Sequence, residues 1–344
     1  MPLTIQLMNP AKSQKEFLSH CSQILNRMGE QPLEEDQKIM QQAQAQNSWF
    51  TEENIRKASR NWGQSLRAEA IDQWIQELSI PSFPKTIALI LAGNIPWVGL
   101  HDLLSVLVSG HRALVKCASD DTHLLPYLVE QLPENYRNQV EFTKDRIQNF
   151  DAVIATGSNN SARYFEAYFQ KYPHIIRKNR NAVAILNGNE SLVELEALGR
   201  DLLDYFGRGC RNVTHIFVPK GFDLNQIFGG VFPLSEIIHH HSYANNYDYY
   251  KALYLMNEVP FLENGFFLLK EDKTINSPLA TAHYSYYESL EKLHHLLENQ
   301  KERIQCVVGE PCPGLPSFPL GAGQSPELWD YADGVNTLDF LQKL

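Results

Sequence analysis

Between Pro84 and Gly188 the chain alternates short apolar, β-rich runs with longer helical stretches, and few folds accommodate that alternation. The runs are 87–91, 113–116, 140–143, 152–155 and 182–186; the stretches between them, 98–109, 122–131 and 160–171, are long enough to be crossover helices. Strands this uniformly apolar must be buried on both faces. A parallel sheet with helices on each side, an α/β doubly wound arrangement, is the packing that buries them.

The flanking texture differs. From Lys12 to Ser79, apolar residues such as Phe17, Cys21, Ile24, Leu25 and Met28 recur at helical spacing, with Ser13 and Thr51 as expected N-caps. Beyond Asn189 helices and strands alternate again up to a strand at 304–308, and a Pro/Gly-rich loop runs through Gly323. The expected organisation is an N-terminal helical segment over 1–80 and a dinucleotide-binding domain over 81–187. A second α/β domain follows over 188–314, with a return loop and C-terminal segment over 315–344.

Charge and composition exclude several function classes. Thirty basic residues against forty acidic ones give a net charge of −10, without a dense Lys/Arg run, so a phosphate backbone or anionic membrane is not an expected partner. The longest apolar run, 87–92, is far below spanning length, and residues 1–6 carry no leader pattern. Five cysteines without a CxxC pair suit free thiols in a reducing compartment, so the expected location is cytoplasmic.

Few residues suggest chemistry. Cys210 stands in Phe206-Gly207-Arg208-Gly209-Cys210-Arg211-Asn212, where glycines admit close backbone approach and two arginines supply positive charge. The helix before it ends nearby, and the negative end of a helix disfavours a thiolate. Asn94, in the turn Ala92-Gly93-Asn94-Ile95-Pro96, follows a buried strand at the edge where open α/β sheets bind ligands, and its amide suits an oxyanion. The same Gly-Asn also reads as a plain turn with Asn94 capping the next helix. Thr156-Gly157-Ser158 ends a strand and opens a helix, a geometry that presents N–H groups to phosphate, although no GxGxxG accompanies it. Lys116 and Ser119 end another strand and suit a ribose or a 2′-phosphate, or are ordinary surface residues. His239, His240 and His241 are adjacent and share no helix face, and Cys306 and Cys312 have no second pair, so no metal site is expected.

Taken in order, Asn94, Lys116, Thr156-Gly157-Ser158 and Cys210 resemble the aldehyde dehydrogenase superfamily from about Lys85 onward. Gly93-Asn94-Ile95-Pro96-Trp97 resembles that family's Trp-Asn-Phe-Pro turn, and 113–119 its Val-Leu-Lys-Pro-Ser strand. Residues 151–158 resemble its Phe-Thr-Gly-Ser cofactor turn, and 207–210 its Gly-Gln-x-Cys nucleophile segment. Gly265-Phe266-Phe267, followed by Ser277-Pro278-Leu279, is similar to its Gly-Pro-Val region, and Pro319-Leu320-Gly321-Ala322 to its Pro-Phe-Gly-Gly return loop. The resemblance implies an aldehyde dehydrogenase-like fold, a cofactor domain beside a catalytic domain. It also implies Cys210 as nucleophile, Asn94 in the oxyanion hole, and Lys116, Ser119, Thr156, Gly157 and Ser158 on the cofactor.

Two positions depart from that pattern. Hydrolytic members carry a Glu in Leu-Glu-Leu-Gly-Gly-Lys, and alignment on Arg180-Asn181 places Ile176 there, which removes the base that activates water. Ala162 stands where many relatives have a second glycine of the cofactor helix. The helical preface and the ending 328–337 are similar to the acyl-CoA reductases of the LuxC type. That branch implies NADPH-dependent reduction of a long-chain acyl-CoA to an aldehyde through an acyl-cysteine, with NADH as the other cofactor. A CoA-acylating dehydrogenase running oxidatively and a non-catalytic acyl-binding subunit are the alternatives. An acyl-activating or acyl-transferring partner enzyme and a homodimer follow only by analogy.

Overall fold

The computed structural model describes residues 10–344; the absence of a leader pattern at residues 1–6 lies outside them. In chain order the elements are α1(Pro10–Glu30), α2(Glu34–Gln46), α3(Glu52–Ser65), α4(Ala68–Ile75), β1(Thr86–Ile90), α5(Leu100–Val108), β2(Arg112–Lys116), α6(Leu124–Glu130), α7(Glu134–Arg137), β3(Val140–Phe142), β4(Ala152–Thr156), α8(Asn159–Phe169) and β5(His174–Arg177). They continue as β6(Asn181–Ile185), α9(Leu192–Leu203), β7(Val213–Pro219), α10(Asn225–Val231), α11(His241–Met256), β8(Leu262–Glu263), β9(Leu268–Glu271), β10(Thr281–Tyr287), α12(Leu290–Glu298), β11(Ile304–Gly309), β12(Ser317–Phe318) and α13(Thr337–Gln342). They form two compact units. The first takes the described residues through Lys178 together with Glu327–Leu344, and the second Asn179–Pro326.

In the first unit a five-stranded sheet has the order β3-β2-β1-β4-β5, all strands parallel. Ile87, Ala88 and Leu89 of β1 and Val153, Ile154 and Ala155 of β4 are buried, as two covered faces require. The chain builds outward from β1 through β2 to β3, then crosses to the other side for β4. The junction of β1 and β4 is therefore the topological switch point, and its carboxyl edge is where such sheets place ligands. Helices α1–α4 belong to this unit. Thr51 caps α3 by accepting the Asn54 N–H at 3.2 Å, as expected, whereas Ser13 is no cap: it lies inside α1, with its Oγ 3.2 Å from the Tyr136 hydroxyl.

The second unit is built on a seven-stranded sheet, β12-β11-β6-β7-β10-β9-β8, parallel except at the antiparallel pair β8–β9. The strand expected at 182–186 is β6 of this sheet, where it pairs with β7 and β11; it is not the last strand of the first. The first sheet ends instead on β5, so the units divide between Lys178 and Asn179. The Pro/Gly-rich stretch contains β12, and the final residues return to the first unit.

A buried charge pair holds that return. On β5 the Arg177 guanidinium donates to the Asp102 carboxylate of α5 and, at 3.0 Å, to the Thr337 hydroxyl that opens α13. Arg177 and Asp102 are 6% and 3% exposed, so removal of one charge strands the other away from water. The Asp102→Ala variant is expected to lose about 3–5 kcal/mol of stability in urea unfolding followed by circular dichroism. A loss typical of an exposed pair, below about 1 kcal/mol, would contradict this account of the return.

Candidate active site

Three adjacent strands deliver the candidate turn residues of the first unit. Past β1, Asn94 lies in a half-exposed bend, and the cap position of α5 is Gly99, so Asn94 does not cap that helix. A Cβ at Gly93 would come within 2.8 Å of the Ala118 Cβ and 3.0 Å of an Asp120 carboxylate oxygen, so the turn passes tightly under the loop that follows β2. Trp97 closes the bend with φ 64°, an unfavourable conformation for a bulky residue. Complete burial and an indole N–H donated to Ser59 Oγ at 2.8 Å hold it there.

After β2, the Lys116 ammonium donates to the Asp145 carbonyl at 3.0 Å, and Ser119 is exposed. After β4, the Gly157 N–H donates to the Arg177 carbonyl at 3.3 Å, and Ser158 caps α8 by accepting the Ser161 N–H at 3.2 Å. A Cβ at Gly157 would press on Ser161 and Phe165 of α8 at 2.9 and 3.0 Å, which explains a glycine at that turn. Ala162 is fully buried, its methyl used in packing. Asn94, Lys116 with Ser119, and Thr156-Gly157-Ser158 thus share the carboxyl edge of β2, β1 and β4.

Two residues that carry no motif bind these loops together. The Asn47 amide donates to the Gly93 carbonyl at 3.2 Å. Gln46, next to it at the end of α2, donates to the Ser119 carbonyl at 2.6 Å and accepts from the Thr122 N–H and hydroxyl at 3.2 and 3.1 Å. Residues from the helical preface therefore set both the Asn94 turn and the β2 loop. Within the sequence they are part of a glutamine-rich patch with nothing to mark them.

Cys210 belongs to the second unit, on the loop between α9 and β7, and it is exposed. The chain leaves α9 through Tyr205, Phe206 and Gly207, all left-handed with φ of 53°, 60° and 74°. Two bulky aromatics in that region store strain that the surroundings must offset. Phe206 packs against the His240 ring with centroids 4.2 Å apart and planes tilted by 35°. Asn212, fully buried, ties the loop: its Oδ1 accepts the Gly209 N–H at 2.7 Å, and its Nδ2 donates to the carbonyls of Asp201 and Asp204 at 3.0 and 2.9 Å. One turn earlier in α9, the Asp201 carboxylate accepts the Gly321 and Gly323 N–H groups at 2.6 and 3.0 Å. Burial pushes that carboxyl up to about 7 against the pull of the two donors. The Cys210 loop and the Pro319-Leu320-Gly321-Ala322 loop are thus fixed to one helix end. Arg211 lies over the Phe318 ring at 5.3 Å.

The other cysteines differ from Cys210. Cys21, Cys306 and Cys312 are buried, and burial pushes the Cys117 thiol up to about 12. The three histidines do not converge: His239 meets Glu236 at 3.4 Å, His240 caps α11 through the Tyr243 N–H, and His241 meets Asn245 at 3.2 Å. Ile176, half-buried on β5 beside Ala155, offers water no proton acceptor.

Loss of Asn212 leaves buried backbone groups unpaired at both ends of the Cys210 loop. The Asn212→Ala variant is expected to lose about 1–3 kcal/mol of stability. It should also raise the pH midpoint of Cys210 alkylation, measured by iodoacetamide labelling and peptide mass spectrometry. A second expectation concerns His215 on β7, fully buried, with Nδ1 donating to the Thr274 carbonyl at 2.9 Å and Nε2 2.8 Å from Ser285 Oγ. Burial pushes this imidazole down to about 4, so it stays neutral when folded and binds a proton on unfolding. Its contribution is complete above about pH 6.5 and is lost as pH falls toward the folded value, by up to about 1.4 kcal/mol per pH unit. The unfolding midpoint of the wild type, taken relative to that of His215→Gln, should fall between pH 7 and pH 5.

No family model and no curated protein sequence matches the chain. Solved structures do. Aldehyde dehydrogenase 21 from Physcomitrella patens, in complex with succinate, superposes with a TM-score of 0.67 at 12% identity, over 98% of this chain and 84% of that one. A putative aldehyde dehydrogenase from Burkholderia cenocepacia gives 0.63 at 10% identity, over 84% and 72%. The P. syringae indole-3-acetaldehyde dehydrogenase in complex with NAD+ gives 0.62 at 10%, over 92% and 74%. The five-stranded parallel sheet and the mixed seven-stranded one accordingly compose the aldehyde dehydrogenase fold.

Proposed function

We propose that this chain reduces an acyl-CoA thioester to an aldehyde with a reduced nicotinamide dinucleotide, through an acyl-cysteine on Cys210. The observation that carries this proposal is an exposed thiol on a loop pinned at both ends, in a chain with isoleucine where hydrolytic relatives keep a glutamate. The edge formed by β2, β1 and β4 fits a dinucleotide. It lies at the switch point, Gly157 keeps the β4–α8 turn close, and the first turn of α8 carries no acidic side chain to oppose phosphate. Lys116, Ser119, Thr156, Gly157 and Ser158 would hold it. Structures of this fold with NAD+ bound support the same choice.

A bound dinucleotide would supply a hydride. The remaining chemistry is the protein's. The Cys210 thiolate would add to the thioester carbonyl, with the Cys210 N–H as one oxyanion donor and, as the family resemblance implies, the Asn94 amide as the other. The C–S bond to CoA breaks, CoA leaves as thiolate, and the acyl group stays on Cys210. Reduction of the acyl-cysteine carbonyl, with a proton, would give a thiohemiacetal on Cys210, which collapses to aldehyde and the Cys210 thiol. Water competes poorly for the acyl group, because Ile176 cannot deprotonate it.

Incubation with an acyl-CoA and no reductant is expected to add one acyl mass to Cys210, released as aldehyde when NADH or NADPH follows. Cys210→Ala should fold normally and acquire no adduct. Asn94→Ala should acylate 10²-fold more slowly or worse, about the loss on removing one oxyanion donor. An unmodified Cys210 after prolonged incubation across a ladder of chain lengths would instead favour a binding protein without turnover.

A further inference from the structure

Asp201 carries a carboxylate in a place that opposes its charge. The residue is 0% exposed, it lies in the last turn of α9 where the helix presents its negative end, and Asp204 stands three residues on. Acting the other way are the N–H groups of Gly321 and Gly323, at 2.6 and 3.0 Å, and the charge of Arg200, which reaches it through space. Arg211, on the Cys210 loop, places its guanidinium over the Phe318 ring. Burial outweighs the favourable partners, which is why the carboxyl titrates near neutrality.

The cover over this carboxylate is the loop 319–323. Gly321 has φ 86°, and a Cβ there would stand 2.8 Å from the Ala197 Cβ and 3.2 Å from an Arg200 guanidinium nitrogen. A Cβ at Gly323 would stand 2.9 Å from the Asp201 Oδ1 and 3.5 Å from the Arg211 carbonyl oxygen. Two glycines therefore let the loop lie flat on α9 and border the residue that follows Cys210. On its far side β11 meets it with the apolar Val308. The turn bonds from the Ala322 N–H to the Pro319 carbonyl and from the Ser325 N–H to the Ala322 carbonyl, both 3.1 Å, are internal to the loop and survive if it lifts. Lifting changes Asp201 instead: water reaches the carboxylate, and the carboxyl returns toward its ordinary value of about 4.

We propose that the loop 319–323 is a strap that lifts from α9 when Asp201 ionises, opening the side of the Cys210 loop next to Arg211 to bulky reactants. The closed strap holds the Asp201 proton more tightly than the open one, so closure is most stable at low pH and loses stability as pH rises toward the buried value. The proposal rests on the acyl-cysteine reading only for the role of Cys210, and it is tested without acyl-CoA or nucleotide. Hydrogen–deuterium exchange of the full chain, corrected for the intrinsic pH dependence of amide exchange, should show the protection of residues 319–326 falling about tenfold or more between pH 5 and pH 7 and levelling off above. Strand β6, in the core of the same unit, should not follow. In Asp201→Asn, neutral at every pH and with an acceptor oxygen still in place, the loop's profile should be flat; its melting temperature is checked against wild type. The rate of Cys210 labelling by a polymer-bearing maleimide, divided by the rate with iodoacetamide to cancel thiol ionisation, should rise over the same range in wild type and stay constant in Asp201→Asn. A flat wild-type profile, or a fall shared by β6, would overturn the strap without recourse to the variant, and a fall that persists in Asp201→Asn would overturn the role of Asp201. A falling profile with an unchanged labelling ratio would overturn control of access to Cys210. None of these outcomes bears on the acyl-cysteine proposal, which its own adduct decides.

Discussion

Polar groups cut off from water must find partners within the chain, and in this protein that requirement fixes the loops that matter. Arg177 meets Asp102 and Thr337, so the end of β5, the start of α5 and the start of α13 share one buried cluster. Asn212 serves the Cys210 loop in the same way, and Asp201 the return loop after β12. Arg177 joins side chains far apart in sequence, Asp201 holds two backbone N–H groups from a distant loop, and Asn212 ties backbone groups of its own loop. Hydrophobic burial alone would leave those loops without a unique conformation; partnered polar groups specify one, because every alternative strands a donor or acceptor.

Much of the first sheet could be read from the residues. Strands β1, β2 and β4 are continuous apolar runs, since both faces of a parallel strand are covered, and the helices between them keep helical spacing. His174-Ile175-Ile176-Arg177 was less legible: four residues with a charge at each end resemble a loop, and only pairing with β4 makes them a strand. That omission moved the expected boundary, because 182–186 then took the place of the first sheet's edge. Local sequence does not say which sheet a buried run joins; the pairing of β6 with β7 and β11 is a long-range fact. Cys210 and the turn residues are visible because glycines and a thiol stand out. Their supports, Asn212, Gln46 and Asn47, are not, because an amide in a loop or a glutamine run is ordinary until its partners are known.

The helical preface gains a purpose from this. Gln46 and Asn47 reach the loops after β2 and β1, so the end of α2 holds the ligand edge of the sheet in shape. Trp97 adds to the same effect, since its left-handed backbone persists only while the indole stays buried against Ser59 of α3. A pre-shaped edge binds without a further ordering cost.

A thiolate at Cys210 faces one evident objection, the partial negative charge of carbonyls at the end of α9. The loop meets it locally. The two N–H bonds of the Asn212 amide are spent on the carbonyls of Asp201 and Asp204, both at that helix end, so part of the exposed negative potential is already compensated. The left-handed turn through Tyr205, Phe206 and Gly207 then carries the chain off the helix axis before the sulfur is reached. Arg208 and Arg211 flank the cysteine with positive charge, and none of the acidic residues that end α9 lies within five residues of it in sequence. The left-handed Tyr205 and Phe206 are a strained exit from α9, and the bonds of Asn212 to Asp201, Asp204 and Gly209 keep that exit from relaxing.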